Sequence, residues 1–144
     1  MGIIGNYVIV PLISIIVFLI GQRIWFSLRP KAKVVWYSPE PNSFHMQREQ
    51  RFLYTQTIFI KNNGKETALA VEITLLRKPD AITLNPWRKY QDSTSPNGQH
   101  TIVIDNLGAG ELFMIQLLDC TNKPSLPVVR SNSGLAAHRE RISL

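Results

Sequence analysis

The side chains that could carry chemistry are few in this 144-residue chain and lie far apart in the sequence. Its three histidines fall in different predicted segments: His45, His100 and His138. None has a second ligand at the short spacing typical of metal sites. Cys120 is the one cysteine, and a catalytic thiolate would need a histidine or cation beside it, which the sequence does not establish. There is no Gly-x-Ser-x-Gly elbow, and Gly108 and Gly110 fit a turn better than a phosphate-binding loop. We therefore expect no enzyme activity, no cofactor and no metal site.

One short segment combines residue types that favour binding. Trp87, Arg88, Lys89 and Tyr90 place two aromatic rings and two cations in a predicted loop. Trp, Tyr and Arg are enriched at protein-binding hot spots, and aromatic and basic side chains also suit lipid headgroups. In the alternative interpretation, Trp87 or Tyr90 packs under the domain as a plug and the two cations are solvated. The sequence leaves both interpretations open.

The elements that would position such a loop begin with an uncharged N-terminal segment. Residues 1–22 contain no Asp, Glu, Lys, Arg or His, and the run from Ile3 to Phe26 is mostly Ile, Val, Leu and Phe. A bilayer core about 30 Å thick needs roughly 20 such residues in a helix. We predict a transmembrane helix over residues 1–26 and a basic juxtamembrane linker over residues 27–33. Pro11 would either kink this helix or lie in its first turn.

A one-sided basic collar predicts the orientation of that helix. Four basic residues lie at or just after the end of the apolar run, Arg23, Arg29, Lys31 and Lys33, and none precedes it. Short basic flanks stay on the cytoplasmic side of a membrane. The amino terminus would then be outside, and the C-terminal domain would lie in the cytoplasm at the cell membrane. A lone thiol at Cys120 agrees with that reducing compartment. The residues predicted at the membrane interface are Arg23, Trp25, Phe26, Arg29, Lys31 and Lys33.

Two other arrangements compete with this one. A cleaved signal peptide would carry basic residues before a shorter apolar stretch and small residues at its end. Here no basic residue precedes the run, and its flank reads Gln22-Arg23-Ile24-Trp25-Phe26. An inverted topology would expose the domain outside the cell and conflicts with the collar. The sequence favours a cytoplasmic domain on an uncleaved anchor.

The collar also accounts for most of the positive charge. The chain carries 16 Lys or Arg against 10 Asp or Glu, for a net charge of +6. Four of these basic residues form the collar, which leaves twelve basic and ten acidic residues beyond it. Nucleic-acid binding would need basic side chains clustered on the folded domain. We predict as partners the lipid bilayer and a membrane or cytoplasmic protein, and no nucleic acid.

Residues 34–144 predict one mainly β domain of about seven strands. Short runs rich in β-branched and aromatic residues alternate with turn residues. The predicted strands are Lys33–Ser38, Phe52–Asn62, Ala68–Leu76, His100–Asp105, Leu112–Leu118 and Pro127–Ser131, with Ala81–Leu84 and the tail near Arg139–Ser143 as two further candidates. Alternation predicts that Leu69, Val71, Ile73 and Leu75 all point inward. The segment Phe44–Phe52 is expected to be a polar loop.

The turns between these strands carry a family resemblance. Ile58-Phe59-Ile60-Lys61-Asn62-Asn63-Gly64 precedes the alternating strand, and Ile102-Val103-Ile104 leads into Leu107-Gly108-Ala109-Gly110-Glu111. Over about half of the chain this order resembles bacterial immunoglobulin-like domains of the CARDB type. The resemblance implies a seven-stranded immunoglobulin-like β-sandwich used for display, spacing or protein contact. Members of that family usually lie outside the cell, which conflicts with the collar.

Two functional hypotheses follow from these observations. The leading one is a membrane-anchored interaction or scaffold module without catalytic activity. The alternative is a membrane-anchored sensor that binds a small anionic ligand, such as a nucleotide, through Arg88, Lys89 and nearby basic side chains.

Overall fold

The computed structural model describes residues 3–29 and 31–140 of the chain. It divides into two compact units, which meet in sequence between residues 30 and 31. The first unit contains one helix, and the second contains every strand that the described residues form.

The first unit is the helix α1, Ile3–Leu28, which continues through Pro11. At 1.5 Å per residue it extends about 39 Å, enough to cross a bilayer core. The side chains of residues 11–29 are all exposed. The segment Pro11–Leu28 is long and apolar enough to span a membrane, a property that signal sequences share. The helix ends two residues beyond the predicted span of 1–26.

The second unit is built from eleven strands within residues 31–140. In chain order they are β1 (Val34–Tyr37), β2 (Asn42–Met46), β3 (Arg51–Asn62), β4 (Ala68–Leu75), β5 (Ala81–Asn85), β6 (Gln91–Thr94), β7 (His100–Leu107), β8 (Leu112–Asp119), β9 (Val128–Ser131), β10 (Gly134–Leu135) and β11 (Ala137–His138). β-branched and aromatic residues recur through the long strands, as expected for side chains packed on a pleated surface.

The strands form two sheets with the hydrophobic core between them. One sheet has the order β11-β1-β3-β8-β5, with β2 also paired to β3, and the other has the order β10-β9-β4-β7-β6. Neighbouring strands run antiparallel except β1 and β11, which run parallel. The largest buried apolar side chains come from both sheets: Ile58, Ile60, Phe113 and Ile115 from the first, and Val71, Ile73, Ile102, Ile104, Leu107 and Val129 from the second.

The prediction of a mainly β sandwich behind one apolar helix is confirmed. Each of the six main predicted strands agrees with the structure to within two residues at either end, and the candidate strand Ala81–Leu84 is β5. The structure has more strands than the seven predicted. The additional ones include the short edge strands β2 and β6 and the two-residue strands β10 and β11.

One of the remaining predictions is wrong. Phe44–Phe52 is not a polar loop, because β2 pairs antiparallel with the first residues of β3. The candidate tail strand near Arg139–Ser143 lies mostly outside the described residues; β11 ends just before it at His138, and Arg139 and Glu140 are not in a strand.

The inward position predicted for Leu69 is also wrong. Leu69 is 51% exposed, and Ala68 is fully buried in its place, whereas Val71 is buried as predicted. Between them, Ala70 has a φ of 49°, a left-handed conformation that is uncommon outside glycine. This residue reverses the side-chain alternation of β4.

The side-chain alternation of β7, which pairs with β4, reverses opposite the same residues. Ile104 and Leu107 are buried, and the two residues between them are exposed. Ile104 pairs with Val71 and Leu107 pairs with Ala68, so the two strands keep one register through the reversal. Both strands therefore change which side chains face the core without losing their pairing.

We expect Ile73→Asp to unfold the domain, because an unpaired charge inside the sandwich costs several kcal/mol. Leu69→Asp, on the same strand, is the matched control and should change the free energy of unfolding by less than about 1 kcal/mol. Urea unfolding of the full chain in nanodiscs, followed by circular dichroism, measures both. An unchanged midpoint for Ile73→Asp would contradict its buried position, and an equal loss in both variants would contradict the reversal at Ala70.

Candidate functional site

One end of the sandwich gathers segments that are distant in sequence. We call it the entry end, because the chain enters the domain there at Lys31. It consists of residues 31–33, the turn 63–67 after β3, the loop 86–90 after β5 and the turn 108–111 after β7. Antiparallel pairing brings the ends of β3 and β7 beside the starts of β8 and β4. The predicted binding loop therefore lies at the same end as the last residues of the basic collar.

Asn62, the last residue of β3, is the polar centre of the entry end. Its side chain is fully buried, and its amide nitrogen donates to the carbonyl oxygens of Glu66 at 2.7 Å and Leu107 at 3.0 Å. Its amide oxygen accepts from the backbone nitrogens of Lys33 at 3.0 Å and Gly64 at 2.9 Å. The side chain thus uses both of its donors and its acceptor, and it joins the first residues of the domain to both sheets.

Residues 31–33 are also bound to the turn 63–67 along their backbone. The Asn63 nitrogen donates to the Lys33 carbonyl at 2.8 Å, and the Lys65 nitrogen donates to the Lys31 carbonyl at 3.1 Å. Gly64 allows this approach, since a Cβ there would overlap the backbone of Lys31 and lie 2.5 Å from the Lys33 nitrogen. The last three residues of the predicted linker 27–33 are therefore fixed within the domain.

Arg88 attaches the predicted binding loop to the turn 108–111. Its guanidinium forms an ion pair with the Glu111 carboxylate, donates to the Asn106 carbonyl at 3.1 Å and stands 5.1 Å from the Phe113 ring centre. The second Glu111 carboxylate oxygen accepts from the Gly108 nitrogen at 2.7 Å. Desolvation raises the pKa of Glu111, but the Gly108 amide and the Arg88 guanidinium outweigh it, so that pKa is lowered from its usual value. The Arg88 charge is thus balanced inside the domain.

The other residues of the loop differ in their exposure. Trp87 is 83% exposed and Lys89 is exposed, whereas Tyr90 is half-buried and packs against the core. Of the two aromatic residues, Tyr90 packs against the core as the plug interpretation predicts, and Trp87 does not. The loop presents one aromatic ring and one cation to solvent, instead of the two of each that its sequence contains.

The residues predicted at the membrane interface divide between the two units. The first unit holds four of them: Arg23, Trp25, Phe26 and Arg29. All four are exposed, and the Arg29 guanidinium stands 5.1 Å from the Phe26 ring centre. Lys31 and Lys33 belong to the second unit, where their backbone is bound and their side chains are exposed.

The opposite end of the sandwich carries a hairpin that the sequence analysis missed. We call residues 42–55 the far hairpin; it joins β2 to the first part of β3. β8 pairs with β3 only from Tyr54 onward, so residues 51–53 pair with β2 alone. Arg51 lies eleven residues before Asn62 on the same strand, which at about 3.3 Å per residue places the hairpin tip about 36 Å from the entry end.

Exposed aromatic rings line the far hairpin. Phe44 is 55% exposed and Phe52 is 52% exposed. The Phe52 ring lies 5.1 Å from that of His45 and 6.3 Å from that of Tyr54, centre to centre. Alternation of apolar residues was the available signal, but the connecting residues 47–50 lack the Asn or Gly that marks a tight hairpin turn.

The remaining candidates for chemistry stay apart from one another. Desolvation and the neighbouring Asp80 carboxylate raise the pKa of the Cys120 thiol, which favours its protonated form. His100 is buried and contacts the Thr94 hydroxyl at 2.9 Å, and His138 packs against the Trp36 ring. Within residues 3–29 and 31–140, no three metal-ligating side chains come together.

No protein-family model matches the chain, and no curated protein matches it significantly. The CARDB-type resemblance stays a prediction.

We expect Asn62→Ala to lower the free energy of unfolding by about 3 kcal/mol, since it removes the side-chain partner of four backbone groups, one in a buried bond and three in partly buried bonds. Asn63→Ala is the matched control. Asn63 is exposed, and its backbone bond to Lys33 survives the substitution, so a change below about 0.5 kcal/mol is expected. Urea unfolding of the full chain in nanodiscs measures both variants, and similar losses in the two would show that Asn62 has no special role.

Proposed function

We propose that the chain is a single-pass membrane protein whose β domain is an interaction or scaffold module for another protein. The far hairpin is the observation that carries this proposal. It combines exposed aromatic rings with a strand that has an open edge, and it lies at the end of the domain opposite the point where the chain enters.

The open edge belongs to β2. On the side away from β3, no other strand within residues 31–140 pairs with β2. Such an edge offers backbone donors and acceptors to an added strand, and proteins commonly block exposed edges with lysine or proline. The sequence of β2, Asn-Ser-Phe-His-Met, contains neither. An unblocked edge beside exposed aromatic rings suits a partner that adds an extended segment to the sheet.

The anchor and its orientation complete the proposal. Helix α1 is long and apolar enough to cross a bilayer, and the collar follows it on one side only. The positive-inside rule then favours an external amino terminus and a cytoplasmic domain. A partner in the cytoplasm or in the same membrane would meet the far hairpin there.

The alternative sensor function receives less support. It requires Arg88 to bind an anionic ligand, but the Arg88 guanidinium already holds the Glu111 carboxylate and the Asn106 carbonyl. A ligand would have to displace both contacts. Of the cations that this function invokes, Lys89 and the neighbouring exposed lysines remain, without Arg88.

We expect a reporter fused behind Leu144 to be active only in the cytoplasm, because moving the collar across the membrane is costly. The matched variant carries Arg29→Gln, Lys31→Gln and Lys33→Gln, whose side chains are exposed, and a fraction of it should invert. Paired reporters that are active only inside or only outside the cell measure both. Activity of the wild-type fusion only on the outside would contradict the proposed orientation.

We expect a photoreactive phenylalanine analogue at position 44 to form one discrete adduct with a protein in cells of the native host. Position 135 is the matched control, since Leu135 is also exposed but lies in the other sheet. Ser43→Lys, which places a charge on the edge strand, should remove the adduct at position 44. The same adducts at both positions, or none at position 44, would contradict a role for the far hairpin.

A further inference from the structure

The covalent chain limits the distance between Lys31 and the end of helix α1. Only Arg29 and Pro30 separate Leu28, the last helical residue, from Lys31, whose carbonyl accepts from the Lys65 nitrogen within the domain. Three extended residues span at most about 11 Å. If α1 crosses a membrane, as proposed above, Lys31 lies within this distance of the helix end.

The entry end carries an excess of positive charge. Apart from the paired Arg88 and Glu111, four lysines lie at this end, Lys31, Lys33, Lys65 and Lys89, and the acids at or beside it are Glu66 and Asp105. The opposite end is close to balanced, with five basic and four acidic side chains: Arg48, Arg51, Arg77, Lys78 and Lys123 against Glu40, Glu49, Asp80 and Asp119. Anionic lipids attract basic side chains near the membrane surface.

Trp87 adds an apolar contact to this charge. Among residues 31–140 it is the most exposed large hydrophobic side chain, and tryptophan is enriched at the headgroup level of membranes. The next residue, Arg88, is bound through its side chain to Glu111, and the Glu111 backbone carbonyl accepts from the Asn62 backbone nitrogen at 3.0 Å. The loop backbone beside the ring is thereby held, so less conformational freedom is lost when the ring enters an interface.

From these contacts we propose that the entry end is itself a lipid-binding surface, in which Trp87, Lys89 and Lys65 contact anionic headgroups of the membrane that anchors the chain. This inference rests on the proposed anchoring. It assigns Trp87 and Lys89 to lipid, and it leaves the far hairpin for the protein partner. Docking of the entry end would direct the tip of the far hairpin away from the bilayer.

The test measures whether Trp87 touches lipid in the full chain. The chain is reconstituted into phosphatidylcholine vesicles with and without phosphatidylglycerol, with the same phosphatidylcholine brominated near its headgroup in both. Subtracting the fluorescence of Trp87→Phe from that of the wild type isolates Trp87 from Trp25 and Trp36. We expect Trp87 emission to shift to the blue and to be quenched by bromine in the vesicles that contain phosphatidylglycerol, and less so without it.

Two charge variants and a tryptophan moved to position 44 test whether the quenching is specific to the entry end. Lys89→Gln should lower the ratio of docked to undocked domain about fivefold, the value of one basic charge near an anionic surface, and added salt should act in the same direction. Lys123→Gln removes the same charge at the opposite end and should leave quenching unchanged. A tryptophan placed at position 44 in the Trp87→Phe chain should escape quenching.

The outcomes separate this inference from the proposed function. Flotation of the protein with vesicles while Trp87 stays unquenched would overturn the lipid surface and leave the anchor in place, with the loop free for a protein. Equal quenching with and without phosphatidylglycerol would overturn the anionic selectivity. Failure of the chain to float after alkaline washing would overturn the anchor and this inference with it.

Discussion

The buried side chain of Asn62 is the constraint on which the rest of the domain depends. Four backbone groups from three other parts of the chain meet its amide, and each would be left without a partner if the amide were removed. An unpaired buried polar group costs about 1–3 kcal/mol, so the site is stable only when all of the bonds form together. Residues 31–33, the turn 63–67 and the end of β7 therefore take up their positions as one unit.

Backbone and side-chain bonds beside Asn62 determine how the predicted binding loop presents its side chains. The Asn62 backbone nitrogen donates to the Glu111 backbone carbonyl, the Glu111 carboxylate binds Arg88, and Arg88 holds the loop against the sheet. Once Arg88 is used in this way, it is not available as a free cation. Its two neighbours Trp87 and Lys89 are left facing solvent. A loop that looks doubly aromatic and doubly basic in the sequence thus acts as a single exposed pair.

Sequence patterns predicted the long strands well because their alternation reflects burial directly. β3, β7 and β8 each place an apolar residue at every second position over much of their length. The patterns failed where a local backbone feature overrides alternation. A left-handed alanine at position 70 has no signal in the residue type, so Leu69 was placed in the core. The far hairpin was missed because its connecting residues lack turn chemistry, although its strands alternate.

The turn after β3 needs its glycine for a reason that the residue types do not reveal. Asn and Gly are typical of turns because both residue types tolerate positive φ, which favours a turn at Asn63 and Gly64. In the structure neither has a positive φ, and Gly64 is required because the backbone of residues 31–33 passes where its side chain would be. That approach is a contact between segments about 30 residues apart, which no local pattern contains. The site residues were therefore identifiable by type, but the paired state of Arg88 was not.

In the proposed arrangement, lipid binding at the entry end lowers the entropy cost of protein binding at the far hairpin. A domain that rotates freely at the end of a helix must lose that freedom when its edge strand binds a partner, and association also costs translational entropy. Anchoring in the membrane confines the chain and raises its effective concentration for partners held nearby. Contacts between the entry end and lipid headgroups would remove part of the rotational freedom beforehand. Because Trp87 and Phe44 lie at opposite ends of the domain, lipid at one end does not compete with a protein at the other.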